Sequence, residues 1–482
     1  MSIKRNTTYN LLGSILPLAV SLFTTPIYLS LIGEARYGVL AIVWLLLGYF
    51  GLFDLGLGRA TAQRIAALRD STDGERAKTF WTALILNMGL GVGGGVLIWP
   101  VASYFFAHIF KIDEALRPEV QAAVPWLILA VPMATLSGVL SGALQGRERF
   151  FELNVVSVFG TILFQILPLA AAMLLGADLG VLLPAALCTR LLTLLILFWR
   201  CWQHVFRDYT PTFAKAQAGQ LLRFGGWVTL SSFVSPMMVI LDRFIIGAMS
   251  SAKDVTIYTV PFQLSERSVL ISSALNSALF PRFAAVGFEE EQRLANNGLR
   301  VLVTVMTPLV AAGILLMEPF LGWWISPAFA QESARVGQVI LLGFWFNSLA
   351  GIPYAQLQAR GRPDLVAKCH LMEVLPYFGL LYLGLSNVGL VGAAMAFSLR
   401  VFIDFALLAG LAGILKQSFH LLLVPVLLLE AAFWITTQAS FGQPDWLALV
   451  SVYLLVTTLL GWRETTSFMK TFIFTRFKPC TH

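Results

Sequence analysis

Charge is scarce in this sequence. Of its 482 residues only 12% are Asp, Glu, Lys or Arg, against 57% hydrophobic. An ordinary soluble domain carries about 25% charged residues, so that class is excluded. Cysteine is scarce too: Cys188, Cys201, Cys369 and Cys480 are scattered, and no pair has metal or redox spacing. Neither a disulfide framework nor a zinc site is implied, and no cofactor is expected. The five histidines are isolated from one another. No GxxxxGK[ST] loop occurs, which excludes ATP hydrolysis within the chain, and HExxH and GxSxG are absent as well.

What fills the sequence instead is long apolar runs, with a mean hydropathy of +0.77. Runs of about 20 residues are long enough to cross a hydrocarbon core of ~30 Å as helices. The expected fold is therefore all-α and polytopic in a membrane. The opening stretch "MSIKRNTTYNLLGSILPLAVSLFTTPIYLSLIG" is basic, then apolar. Its apolar part exceeds the ~7–15 residues of a signal core and runs on into another span, so it is read as a retained first transmembrane helix.

About fourteen spans are expected from the pattern. They begin near Tyr9, Gly38, Thr79, Ala122, Asn154 and Val181, then Phe224, Ile257, Leu299, Val336, Ala367 and Ala393, with two more near Phe419 and Asp445. Pro17 and Pro26 are expected to interrupt the first span, and Pro236 the seventh. With the N-terminus in the cytoplasm, nearly all loop Lys and Arg fall on that side, from Lys4 and Arg5 to Arg476 and Lys478. Only Arg36, Lys111, Arg117, Lys253 and Arg335 fall opposite. This asymmetry follows the positive-inside rule and predicts that both termini are cytoplasmic. It also accounts for the net charge of +7 without nucleic acid as a partner.

The chain repeats itself. "LQGRERF" (144–150) follows the fourth span and "LQARGRP" (357–363) the tenth, 213 residues apart. "LIG" at 31–33 and "IIG" at 245–247 share nearly that offset, each followed by a tyrosine, Tyr37 and Tyr258. An even number of spans separates the copies. Two six-helix lobes, 1–213 and 214–413, are therefore expected to be related by an axis along the membrane normal, with 414–482 adding two helices and a basic tail. "GLGVGGGV" (89–96) and "SGVLSGAL" (137–144) have the small-residue spacing of close helix packing.

Topology leaves four arginines unexplained: Arg190, Arg243, Arg267 and Arg400. On insertion scales each costs ~2.5–3.5 kcal/mol at the centre of a helix, so each needs a partner, water or a purpose. In "FSLRVFIDFALL" (397–408), Arg400 and Asp404 are spaced to pair on one helix face. Asp242–Arg243 and Glu266–Arg267 are sequence neighbours that would point apart on a helix, so cross-helix pairing is expected for each. Arg243, near the outer end of its span, can also snorkel to the interface. Arg190 has no acid within a turn, and it sits at nearly the same depth in the sixth span as Arg400 in the twelfth. Two guanidiniums facing one water-filled cleft would cradle a phosphate bidentately. All four arginines are candidate substrate ligands. Asp242, Glu266, Asp404 and Asp54 are candidates for coupling to protons or Na+, and Glu373 and Glu430 also lie in or near spans. For Asp54, in "GLFDLGLGRA", capping or packing is an equal alternative.

"NLLGSILPLAVSLFTTPIYLSLIGEARYGVLAIVWLLLGYFGLFDLGLGRATAQRIA" resembles the start of a polysaccharide repeat-unit (O-antigen/exopolysaccharide) flippase, and "LDRFIIGAMSSAKDVTIYTVPFQL" with "LFPRFA" resembles the start of its second lobe. These flippases belong to the multidrug/oligosaccharidyl-lipid/polysaccharide exporter superfamily, and the resemblance covers about residues 5 to 413. It implies a twelve-helix, two-lobed core in the bacterial inner membrane. That core would carry undecaprenyl-pyrophosphate-linked glycan outward by alternating access, among membrane lipids and other polysaccharide assembly proteins. The two extra spans are similar to those of fourteen-helix peptidoglycan-precursor flippases. A cation-coupled multidrug exporter of the same fold is an alternative. So is a membrane enzyme acting on lipid-linked sugars, although the longest outer connection, "HIFKIDEALRPEVQ", is short and plain.

Overall fold

The computed structural model describes residues 3–50, 54–68, 71–207, 209–438, 446–455 and 457. No strand occurs among these residues. α1 (Ile3–Tyr49) leads to α2 (Leu57–Ala67), α3 (Asp73–Tyr104), α4 (Arg117–Gly146), α5 (Phe150–Leu175) and α6 (Leu179–Cys201). Then come α7 (Lys215–Met249), α8 (Ala252–Glu266), α9 (Val269–Ala285), α10 (Phe288–Trp324), α11 (Pro327–Ala359), α12 (Pro363–Val388), α13 (Leu390–Ala412) and α14 (Leu415–Gln438). A short apolar helix, α15, covers Trp446–Leu455. Among the described residues ten helices are long and apolar enough to cross a membrane.

α1 carries the first two expected spans. Its break falls at Gly33, whose φ of 76° suits a residue without Cβ, and not at Pro17 or Pro26. α7 likewise runs unbroken through Pro236.

The chain forms two compact units, Met1–Thr256 and Ile257–His482. In the first, α3 packs on α4, α5 on α6, α4 on α6 and α2 on α4, while α7 packs on α2 and α3. In the second, α10 packs on α11, α12 on α13, α11 on α13 and α9 on α11. The internal packing of one unit thus repeats in the other.

The repeat reaches down to single backbone bonds. α5 and α12 are both 26 residues long and start 213 positions apart. After α4, the amides of Arg147, Glu148 and Arg149 donate to the carbonyls of Ala143, Gln145 and Leu144. After α11, those of Arg360, Gly361 and Arg362 donate to Gln356, Gln358 and Leu357, the same pattern 213 residues on. These bonds satisfy carbonyls that a helix end would orphan, and they require a left-handed residue. Gly361 supplies it at φ 70°; Glu148 adopts it at φ 59° despite its side chain.

Equivalent spans are also broken in equivalent places. The second span stops at Tyr49 and resumes at Leu57, and Asp54 lies in the gap. The Asp54 carboxylate accepts from the amides of Gly56 (2.6 Å) and Gly58 (3.2 Å), capping the start of α2. The eighth span breaks between Glu266 and Val269, where Arg267 and Ser268 turn through tight bonds to Leu264 and Ser265. Upstream, Pro261 cannot donate to the Ile257 carbonyl, and the Ser333 hydroxyl from α11 donates to it instead at 2.8 Å.

Glycine lets the helices meet at backbone distance. A Cβ on Gly142 of α4 would sit 2.0 Å from the Gly58 carbonyl oxygen of α2, and one on Gly392 of α13 would sit 2.0 Å from that of Gly384 in α12. Gly91 and Gly95, from the glycine-rich run in α3, face Pro132 and Ile128 of α4 in the same way. Interlocked aromatics fill the rest: Tyr28, Tyr37, Trp44 and Phe164 in the first unit, Phe262, Phe344 and Phe397 in the second.

Candidate functional site: two arginine hairpins with different surroundings

Arg190 is the twelfth residue of α6 and Arg400 the eleventh of α13, so both lie midway along the second helix of a matched hairpin. Each guanidinium rests over a ring of the preceding helix. Arg190 lies 5.0 Å from the centroid of Phe164, and Arg400 lies 5.5 Å from that of Tyr377. Such stacking returns part of the cost of desolvating a cation. Phe164 in turn packs at a tilt against Trp44, with ring centroids 6.0 Å apart.

Around Arg190 the unit is hollow. A cavity of about 470 Å³ lies among α4, α5 and α6. α4 contributes Ser137, Ser141 and Gln145, α5 contributes Asn154, Ser157 and Thr161, and α6 contributes Thr189 and Thr193 beside the arginine. Several of these hydroxyls donate to their own helix: Ser137 to Met133 (2.8 Å), Thr161 to Ser157 (2.8 Å) and Thr193 to Thr189 (2.9 Å). Their oxygen lone pairs then remain to accept. Among the described residues no carboxylate pairs with Arg190. The cavity thus offers one uncompensated five-donor fork and a ring of acceptors. This suits an anionic head group attached to hydroxylated rings.

Around Arg400 the unit is filled. Glu373 of α12 places Oε2 3.8 Å from Arg400 Nη1, and the arginine side chain is only 11% exposed. Asp404 meets a different partner, with Oδ1 3.4 Å from His370 Nε2. The expected same-helix pair of Arg400 with Asp404 is thereby replaced by two contacts across the α12–α13 hairpin. The hairpin packs so closely through Gly384 and Gly392 that side chains of α12 lie nearer than the next turn of α13. Glu373, noted in the sequence without a role, is the residue that neutralises Arg400.

Arg243 and Asp242 make a contact that the sequence did not suggest. They pair with each other, Nη1 to Oδ1 at 2.8 Å, although they are adjacent on one helix. Both are buried, Arg243 to 2% exposure, so it does not snorkel to an interface. A buried carboxylate and guanidinium in contact offset part of each other's desolvation cost. Glu266 and Arg267 lie exposed at the break of the eighth span, and among the described residues neither forms an ion pair. Asp54 is engaged as the α2 cap.

The hydroxyl and amide lining of the Arg190 cavity was not anticipated from the sequence. The available signal was the repeat itself. At the 213-residue offset, Ser157, Gly160 and Phe164 align with His370, Glu373 and Tyr377, so the small polar positions of one hairpin are charged in the other.

Many long apolar helices, two units of repeated internal packing and a polar cavity lined by an arginine that has no carboxylate partner among the described residues are features of a membrane transporter. Solved structures agree at the level of the fold. A lipid II flippase, MurJ in an inward closed conformation, is 12% identical over 97% of this chain and 99% of that one, with a TM-score of 0.73. A multidrug resistance MATE family transporter in an inward-facing conformation is 15% identical over 88% and 99%, with a TM-score of 0.68. Residues 3–286 match the family described as "Polysaccharide biosynthesis protein", to which the chain therefore belongs. It is also similar to a Shigella flexneri protein named "Putative O-antigen transporter", 30% identical over 415 residues that cover 85% of this chain and 98% of the relative.

Proposed function

We propose that the protein is a flippase of the bacterial inner membrane, moving undecaprenyl-pyrophosphate-linked oligosaccharide from the cytoplasmic to the outer leaflet during polysaccharide biosynthesis. Arg190 binds the diphosphate, and the hydroxyl and amide side chains around it receive the sugar hydroxyls. Arg267, exposed at a helix break, is the second substrate cation, because discontinuous membrane helices put unpaired backbone and charge where a ligand can reach them. The prenyl tail stays in lipid. Lobes 1–213 and 214–413 rock to expose the head group on alternate sides, residues 414–482 add two helices and a tail, and both termini are cytoplasmic. The protein carries and does not transform its cargo.

The observation that carries this reading is a mid-helix arginine without a carboxylate partner among the described residues, lining a polar cavity of about 470 Å³. A half-buried cation left in that state is costly unless a ligand completes it. Surface glycan in a strain deleted for its own flippase is the test. Wild-type protein restores it, and Arg190→Ala, present in the membrane at equal level, does not. Full restoration by Arg190→Ala overturns the site, and drug resistance without glycan overturns the cargo.

A further inference from the structure

α14 carries one acid, Glu430, in a stretch that is otherwise apolar from Leu421 to Ile435. The helix packs on α10 and α13 and buries Leu422, Leu429, Ala432 and Ile435. At about 100° per residue, Glu430 points away from that buried face. It is exposed, and it shares its side of the helix with Phe419, Leu423, Leu427 and Trp434, each at least 50% exposed. A carboxylate therefore sits in the middle of an apolar stripe that faces outward from its unit.

Among the described residues Glu430 makes no hydrogen bond or ion pair. The first polar side chain toward the nearer helix end is that of Thr436, about 9 Å along the axis, so the carboxylate lies more than a turn inside the apolar stretch. Charge at such a place is costly and calls for a partner at the same depth. α15 does not supply one: it meets α14 where the Tyr453 hydroxyl donates to the Leu428 carbonyl, and it carries no charged residue. An acyl or prenyl chain would cover the leucines without answering the carboxylate. A two-fold contact of α14 with a second copy would bring like charge toward like. The complementary surface is an apolar helix with one arginine or lysine at matching depth.

We propose that the face of α14 running from Phe419 to Trp434 docks a transmembrane helix of another protein, held in register by an ion pair between Glu430 and a basic side chain of that helix. Apolar surface alone gives two helices little reason to associate in lipid, so the ion pair selects the partner and close packing of the flanking leucines completes the contact. The contact uses neither Arg190 nor its cavity, and it stands whether or not the cargo is a lipid-linked glycan.

Energy transfer between labelled full-length protein and a synthetic leucine/alanine transmembrane helix, both in phosphatidylcholine liposomes, tests the surface. A helix with one arginine eight residues from its end should bind the wild type about ten-fold more tightly than its all-apolar twin, the scale of one polar contact in a bilayer. Glu430→Gln should abolish that preference, and Glu430→Asp should retain part of it. Equal binding of the two helices by the wild type, or an undiminished preference in Glu430→Gln, overturns the proposal. In cells, a photo-crosslinking side chain at Leu427 should join a membrane helix that bears Arg or Lys, and adding Glu430→Gln should reduce that adduct about ten-fold. The same side chain at Leu422, on the buried face, should not form it. Adducts with lipid alone, with a second copy of this chain alone, or only with helices that lack a base overturn the proposal in favour of those occupants.

Discussion

Gly160 and Glu373 occupy the same register of α5 and α12, 213 positions apart, and each decides what its arginine meets. Gly160 lines the cavity and leaves Arg190 uncompensated; Glu373 reaches Arg400 at 3.8 Å. One position therefore switches a hairpin between an open cationic pocket and a filled ion-pair cluster.

Gly160→Glu should convert the first hairpin into the second. The new carboxylate would neutralise Arg190 and occupy the cavity, so glycan export should fall to background while the protein still inserts. Gly160→Ala is milder. Its Cβ would lie 2.7 Å from Thr193 Oγ1, a side-chain atom that can rotate, and export should fall only a few-fold. Surface glycan measured against membrane level gives both values.

At Arg190 the shape of the cation should matter as well as its charge. Charge-assisted hydrogen bonds contribute ~1.5–3 kcal/mol, which predicts a loss of roughly 10–100-fold in export for Arg190→Ala. Arg190→Lys keeps the charge but loses the planar fork and its stacking on Phe164, and should recover only part of that loss. Export rates at saturating and limiting donor supply separate weakened binding from slowed transport.

The turns after α4 and α11 give a test that does not involve cargo. Gly361 sits at φ 70° with nothing within 4 Å of a built Cβ, so Gly361→Ala pays backbone strain alone, about 1 kcal/mol. Glu148 already bears that strain at φ 59°, and Glu148→Gly should relieve a similar amount. Thermal unfolding in detergent should move down for the first variant and up for the second.

These pairs also show how much was legible beforehand. The span pattern and the repeat could be read because hydropathy and motif spacing are properties of the chain itself. The four odd arginines stood out because intramembrane charge is expensive. Their partners did not, because partners are set by which helices touch: Glu373 lies on another helix from Arg400. The break at Glu266–Arg267 was hidden as well, since its tight turn carries no glycine or proline, and Pro261 lies a full turn earlier. The contrast between Gly160 and Glu373 lies in the sequence at the 213-residue offset, but that each faces an arginine is set by helix packing.

Asp54 and Gly142 join the same helix, α2, to its surroundings, and together they separate structure from ion coupling. Asp54 caps the start of α2, and its Oδ2 also lies 2.5 Å from where a Cβ on Gly138 of α4 would be. Asp54→Ala should cost about 1 kcal/mol through loss of the cap, whereas Asp54→Asn retains an acceptor and should cost less. Gly142→Ala forces a methyl to within 2.0 Å of the Gly58 carbonyl, a rigid backbone atom, and should cost about 1–3 kcal/mol or prevent folding. If Asp54 serves only the α2–α4 contact, Asp54→Asn will leave the pH profile of export unchanged, and its stability loss will not add to that of Gly142→Ala, because both act on one interface. A shifted pH profile in Asp54→Asn would instead place a titrating role at the break of the second span.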